Sequence, residues 1–409
     1  MPLPRQWFTC TPLRFKGDHT FFARDSGLLC KGFQEIGVAC KAIMPGPPMD
    51  DDQSEDLIRT EFRNLEDAAW WRSLGGEGVI FYGWGDGRYL SIVRAIKAAG
   101  LILITNMDTG GLFSMANGIG TYTGSLWRGI TGRRGINVKS LIYFAARVAY
   151  SASLHVTRVD YPRAKHLQTA DFIGSISPLA MQRIQKVCNV YGGERLASKV
   201  RLIPHANASY MTADPAVVRE RLVVAVGRWD DEKIKGTDLL LATVEELVQR
   251  DPRLLIEIYG AFAVKMAGWH QRLAVGTRER VRLVGVVANS ELRLALQRAQ
   301  ISLCTSLAEG YHTVSAEALC SGCSVVGPDV PEIPSMQWFT TGPYGHMGPR
   351  TPSGLAAAVL AELKAWDDGR RDALATSQHW AQLLHAPRVA ERILGLAADL
   401  TATRAQPVA

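Results

Sequence analysis

The stretch SLAEGYHTVSAEALCSGCSVVG, residues 306–327, holds two glutamates, Glu309 and Glu317, eight positions apart among small and apolar neighbours. The surrounding pattern reads as a strand (ISLCTS), a loop (LAEGY), a helix (TVSAEALCS) stopped by Gly322, and a further strand (CSVVG). Glu309 then lies on the loop at a strand's carboxyl end, and Glu317 about one turn into the helix. The amides between them belong to a helix N-terminus, whose partial positive charge and unpaired N–H groups suit a phosphate. Two carboxylates next to an anion repel it unless they engage neutral hydroxyls. Sugar and ribose hydroxyls meet that demand, because carboxylates accept strong hydrogen bonds from them. The plain alternative is a solvated pair of surface glutamates.

Other residues could join this chemistry. In GRWDDEKIKG, Arg228, Lys233 and Lys235 follow Gly227 and could neutralise a diphosphate, or form a solvated charged turn. Asp108 in NMDTGG could act at a site or cap its own loop. His19 follows Gly17 and Asp18 in KGDHT and could equally be a surface histidine. The glycines of FYGWGDGRY flank Trp84 as G-x-G-x-G, not G-x-G-x-x-G, and no acidic residue ends the next strand at the expected distance. They predict a tight turn, not a nicotinamide site. Cys320-x-x-Cys323 has no second pair, so no metal site is expected.

Elements that position these residues follow from the apolar runs. GVIFYGWG, LILITNM, ADFIGSISP and KVRLIPH read as strands, with helices DGRYLSIVRAIKAAG and LAMQRIQKVCNVYG between them. The second half repeats the plan: RLVVAVGRW, RLLIEIYG, RVRLVGVV and ISLCTS alternate with TDLLLATVEELVQRD and NSELRLALQRA. Nearly continuous apolar strands separated by helices imply parallel sheets covered on both faces. The expected fold is α/β, with two doubly wound domains, 1–212 and 213–380, facing a cleft. The break falls near NASYMTADPAVV, and the closing helix, 381–409, is expected to return toward the first domain.

The 409-residue chain has a net charge of +7 and a pI near 9.0, which favours anionic partners. Apolar residues at 47% and charged residues at 21% are those of a globular protein. The N-terminus has no continuous apolar run, and seven scattered cysteines fit reduced thiols, so a cytoplasmic location is expected. No nucleic-acid recognition module is visible. The segment SLWRGITGRRGINVKSLIYFAARVAY carries Arg128, Arg133, Arg134, Lys139 and Arg147 with aromatics and no acidic residue. It reads either as a contact with a membrane surface or a phosphate-bearing acceptor, or as a mobile loop and a core helix with a basic rim.

EGYHTVSAEALCSG resembles the Glu-x7-Glu motif of retaining GT-B glycosyltransferases of family 4, matching at Glu309, Gly310, Glu317, Ala318 and Gly322. AVGRWDDEKIKG is similar to that family's V-G-R-x(n)-K-G segment, and VRLVGVVANSELRLALQRAQISLCTS resembles the stretch that leads from its base-binding loop into the Glu motif, with Val286 on the donor-binding side. The resemblance runs from about residue 165 to 335. It implies that Glu317 holds ribose hydroxyls and Glu309 a donor-sugar hydroxyl. Arg228 with Lys233 or Lys235 would meet the diphosphate, and Gly310, Tyr311 and the amides of His312, Thr313 and Val314 would line the phosphates or sugar. It further implies a nucleoside-diphosphate sugar as co-substrate, no metal and no resident cofactor. The acceptor would be a saccharide, a lipid-linked saccharide or a small natural product, met by Gly17, Asp18, His19 and Trp84.

The sequence departs from the family at three points. His312 replaces a common Gly, the lysine assignment is split, and Met107 in TNMD stands where the family often has His, leaving Asp108 or a His from elsewhere. The family's activity would be transfer with retention of anomeric configuration, the leaving diphosphate helping to deprotonate the acceptor. The alternatives are a sugar-nucleotide epimerase and a non-catalytic binder or partner subunit. Peripheral contact with the inner membrane surface is a further expectation.

Overall fold

A computed structural model describes residues 6–15, 21–50, 52 and 54–405. Gly17, Asp18 and His19 lie outside the described residues. By contacts the chain divides into two compact units. The first comprises residues up to 123, Ile142–Ser209 and those from Leu383 onward, and the second Gly124–Leu141 and Tyr210–Gln382.

Among the described residues, the first unit holds seven parallel strands: β1 Gln6–Cys10, β2 Ala39–Pro45, β3 Leu57–Thr60, β4 Gly78–Phe81, β5 Ile102–Asn106, β6 Phe172–Ser175 and β7 Val200–Leu202. Their order is β3-β2-β1-β4-β5-β6-β7. The second unit holds six: β8 Glu220–Val226, β9 Leu255–Tyr259, β10 Val281–Gly285, β11 Ala299–Leu303, β12 Ser324–Pro328 and β13 Gly345–Gly348, ordered β10-β9-β8-β11-β12-β13. Every pairing is parallel, as the alternation of apolar runs and helical patterns requires.

Each sheet is doubly wound, and the strand order reverses between β1 and β4 in one and between β8 and β11 in the other. Ligands of open parallel sheets bind outside the carboxyl ends of the strands at such reversals. The loops after β8 and β11 therefore define the place to look in the second unit.

Burial fixes the strands. In the first unit Phe8, Val79, Phe81 and Leu103 pack with Trp71, Ile92 and Ile96 from helices. In the second, Val223, Ile256, Ile258 and Ile301 pack against Leu240, Val244 and Leu247 of the helix Thr237–Arg250 and Val359 of Pro352–Asp367. Each such side chain contributes about 1.5–3 kcal/mol. The last helix, Ala386–Ala405, packs in the first unit on the helix Asp25–Glu35. Gly32 lets the two meet: a Cβ there would lie 2.4 Å from the Ala386 carbonyl oxygen.

The basic segment corrects one expectation. It forms helices Ile119–Arg134 and Val138–Tyr150 and continues as a π-helix, Ser151–Asp160. Val138–Tyr150 is no core helix, since Val138, Leu141, Ile142 and Tyr143 are all exposed. No helix of the described residues is long and apolar enough to cross a membrane.

Candidate functional site

The loop after β8 begins with a close approach of main chains. The Gly227 amide donates to the Tyr259 carbonyl at 3.1 Å, and the Trp229 amide to Ala261 at 2.7 Å. The Trp229 indole closes on the Tyr259 carbonyl at 2.8 Å. Gly260 lies at φ +109°, where a Cβ would sit 1.9 Å from the Gly227 oxygen, so only glycine fits. Arg228 projects between these points with its side chain 68% exposed, 4.0 Å from Asp231.

A short helix, Glu232–Lys235, ends at Gly236 in the left-handed conformation. That turn delivers the loop to the one after β11. Leu307 donates its amide to the Ile234 carbonyl at 2.7 Å, and Thr305 Oγ1 donates to the Lys235 carbonyl at 3.1 Å. Lys235 Nζ then bonds Glu309 Oε1, which also accepts from Ser306 Oγ at 3.0 Å. The two charged side chains are 17% and 16% exposed, enough to remain hydrated at one edge. Lys235 is thus the lysine that meets the glutamate motif. Lys233 lies on the same short helix, but its side chain falls outside the described residues.

Past Gly310 and the buried Tyr311, whose ring meets Phe339 edge-on at 5.2 Å, comes the helix Thr313–Cys320. His312 caps it: Nδ1 accepts from the Ser315 amide at 3.3 Å and lies 2.7 Å from Ser315 Oγ. Burial pushes the imidazole down to about 4, so it is neutral and able to accept at pH 7. One expectation changes here: the His312 amide is given to Ser335 Oγ at 3.2 Å, and its ring is turned into the cap. Thr313 and Val314 supply the leading amides of the helix. Glu317, half-buried one turn on, lies near Tyr210; burial raises the phenol's pKa, and the charge of Glu317 adds to that. Gly322 closes the helix at φ +85°, with Cys323 donating its amide to the Ala318 carbonyl at 2.8 Å. Val286 follows β10, two strands from β8, and is 78% exposed.

Sequence reasoning missed a support beneath this loop. The Glu309 amide donates to the Glu332 carbonyl at 3.2 Å, and the buried Glu332 carboxylate accepts from Arg128 Nε at 2.6 Å. These partners are 204 positions apart, and no spacing rule joins them.

In the first unit, Asp108 follows β5. His205, from the segment after β7, places Nε2 2.9 Å from Asp108 Oδ1 and is buried. Burial pulls the Asp108 pKa up, but the His205 charge and hydrogen bonds from His205 and Trp84 overcome it, leaving the carboxyl below its usual value. Trp84 and Asp108 are thereby brought together, and His205 is the residue the sequence reading left unnamed. Trp84 occupies φ +53°, a conformation rare for a bulky residue. Gly85 follows at φ +65°, and the Asp86 amide donates to the Gly83 carbonyl at 2.9 Å, closing the expected tight turn. Met107 points into the apolar core, where its sulfur would meet a Cβ on Gly85 at 2.6 Å. Among the described residues no cluster of three His, Cys, Asp or Glu could hold a metal ion, and Cys320 and Cys323 are buried free thiols.

Residues 220–364 match the family model of the glycosyl transferases group 1. The matched span runs from β8 into the helix Pro352–Asp367 and contains Arg228, Lys235, Glu309 and Glu317. Over 139 residues the chain is 32% identical to one of the subunits of the human phosphatidylinositol N-acetylglucosaminyltransferase, and that match covers 34% of this chain and 28% of the human one. The architecture as a whole resembles sucrose-phosphate synthase from Thermosynechococcus elongatus, at TM-score 0.60 and 15% identity, over 98% of this chain and 100% of that one. It also resembles the pneumococcal O-GlcNAc transferase GtfA, solved in complex with UDP and GlcNAc, at TM-score 0.63 and 11% identity over 98% and 99%.

The chain has the GT-B glycosyltransferase fold. In this GT-B chain, the family match falls on the unit where Lys235 and Glu309 join the two loops at the strand reversal.

Proposed function

We propose that this GT-B chain transfers a sugar from a nucleoside-diphosphate donor to an acceptor hydroxyl, with retention at the anomeric carbon. The observation that carries the reading is the bond between Lys235 and Glu309 across the loops after β8 and β11. It supports a site in which one cation, one carboxylate and a helix N-terminus converge, as a sugar attached to a diphosphate requires. The UDP and GlcNAc bound by the pneumococcal relative in fold support the same class of donor.

In this reading Glu317 accepts from ribose hydroxyls and Glu309 from a sugar hydroxyl. Arg228, Lys235 and the amides of Thr313 and Val314 meet the diphosphate. As the bond from the anomeric carbon to the β-phosphate oxygen breaks, negative charge grows on the leaving nucleotide, where those donors stabilise it. A phosphate oxygen takes the acceptor's proton, and the acceptor oxygen bonds the anomeric carbon on the face just vacated. Within the first unit, Asp108, held by His205 and Trp84, is the carboxylate suited to accept from a hydroxyl of the acceptor.

Donor hydrolysis tests this without knowing the acceptor, because water can stand in for it. Proton NMR of UDP-, GDP-, ADP- and TDP-sugars incubated with the protein should show one nucleoside diphosphate released. The sugar should appear first as the α anomer from an α-linked donor, before mutarotation. A β anomer contradicts retention, an epimerised donor without nucleotide release indicates the epimerase, and no change in any donor contradicts turnover.

A further inference from the structure

From Thr109 to Val159 the sequence has six Lys and Arg and no Asp or Glu. Within that span the helix Val138–Tyr150 presents Val138, Leu141, Ile142, Ala145 and Ala149 outward at helical spacings of three and four. Val138 is 73%, Leu141 56% and Ile142 63% exposed, while Ser140, on the other side, is fully buried. The arrangement is inverted relative to an ordinary surface helix, whose apolar stripe faces the core. Lys139 borders the stripe, and Tyr143 stands beside it, with the Arg147 guanidinium 5.7 Å from the Tyr150 ring. Farther along the same helical run, Leu154, Val156 and Tyr161 are also exposed.

We infer that this face docks on the surface of an anionic lipid bilayer, with the helix lying in the interface. Exposed apolar residues gain by entering the acyl boundary, and Lys139 at the edge of the stripe gains from anionic headgroups. Charge favours this occupant over a second copy of the chain, because two like segments would set cations against cations with no acidic residue of the segment to receive them. The contact inferred is one of a helix lying in the interface, and no helix of the described residues is long and apolar enough to cross a bilayer. It goes beyond sugar transfer, and its test needs no turnover.

The test is co-sedimentation of the full chain with phosphatidylglycerol-rich vesicles and with vesicles of phosphatidylcholine alone, at low and at high salt. The wild type should pellet with the anionic vesicles, release as salt rises and stay in solution with the neutral ones. Leu141→Asp with Ile142→Asp should lower the partition coefficient at least about tenfold, and Lys139→Gln about fivefold, the effect of one basic side chain near an anionic surface. Circular dichroism melting should be unchanged in both variants, because the replaced side chains are exposed. Wild type left in solution with anionic vesicles overturns the inference, as does a double variant that pellets unchanged. A wild-type dimer in sedimentation velocity that the double variant converts to monomer also overturns it, assigning the face to a second copy.

Discussion

Glu309→Gln should lower kcat/KM for sugar transfer by about 10²–10³-fold, the range seen when one preorganised group that acts on the transition state is lost. Gln preserves size and the capacity to accept, but it removes the charge that holds Lys235 Nζ and a donor hydroxyl in register. The variant also leaves Lys235 partly buried without its carboxylate, which should cost about 1–3 kcal/mol of stability. The two effects separate in the double variant Glu309→Gln with Lys235→Met, where both members of the pair are neutral. Its stability should recover most of the loss, since replacing both partners of a buried pair is far less costly than removing one. Its turnover should stay low. A single variant with wild-type turnover removes Glu309 from the reaction.

Gly236→Ala carries the second large effect, on stability and through it on the site. Gly236 sits at φ +66°, and a Cβ there would lie 2.2 Å from the Thr305 carbonyl oxygen, which belongs to the loop carrying Glu309. The left-handed backbone alone costs an alanine about 1–2 kcal/mol. Relief of the clash must also push apart the Lys235 and Glu309 loops, for a total on the order of 3 kcal/mol or more. Gly37 is the control. It has φ +77° with nothing within 4 Å of the added carbon, so Gly37→Ala should cost only the backbone term. Urea unfolding of the two variants measures the difference. Equal losses would mean that the Thr305 contact does not hold the loops together.

The second unit was largely legible because its signals are local. RLVVAVGRW and ISLCTS are apolar runs buried on both faces, and the loop, helix and Gly322 stop around Glu309 and Glu317 follow from neighbouring residues. The N-terminal strands were not legible in the same way. Lys41 interrupts β2, and in β3 the pattern is broken by Arg59, which is buried because its guanidinium donates to Asp52 Oδ1 at 2.6 Å. β13, GHMG, lacks the branched residues that mark a strand and forms by pairing with β12. His205 meets Asp108 only through the fold, and the grouping of residues 124–141 with the second unit likewise depends on distant partners such as Glu332. Where two groups meet by topology, residue spacing carries no record of it.

Thermal denaturation with UDP, GDP, ADP and TDP and their sugar conjugates, on the wild type and on Glu317→Ala, tests the central claim most directly. Ligand at about 100 times its dissociation constant stabilises the native state by roughly 2.7 kcal/mol. That corresponds to about 5–10 °C for a unit of this size. One nucleotide should raise the wild-type midpoint by that much and leave Glu317→Ala unmoved. If none of them shifts the wild type, or if Glu317→Ala responds equally, the segment around Glu309 and Glu317 does not bind a nucleoside diphosphate.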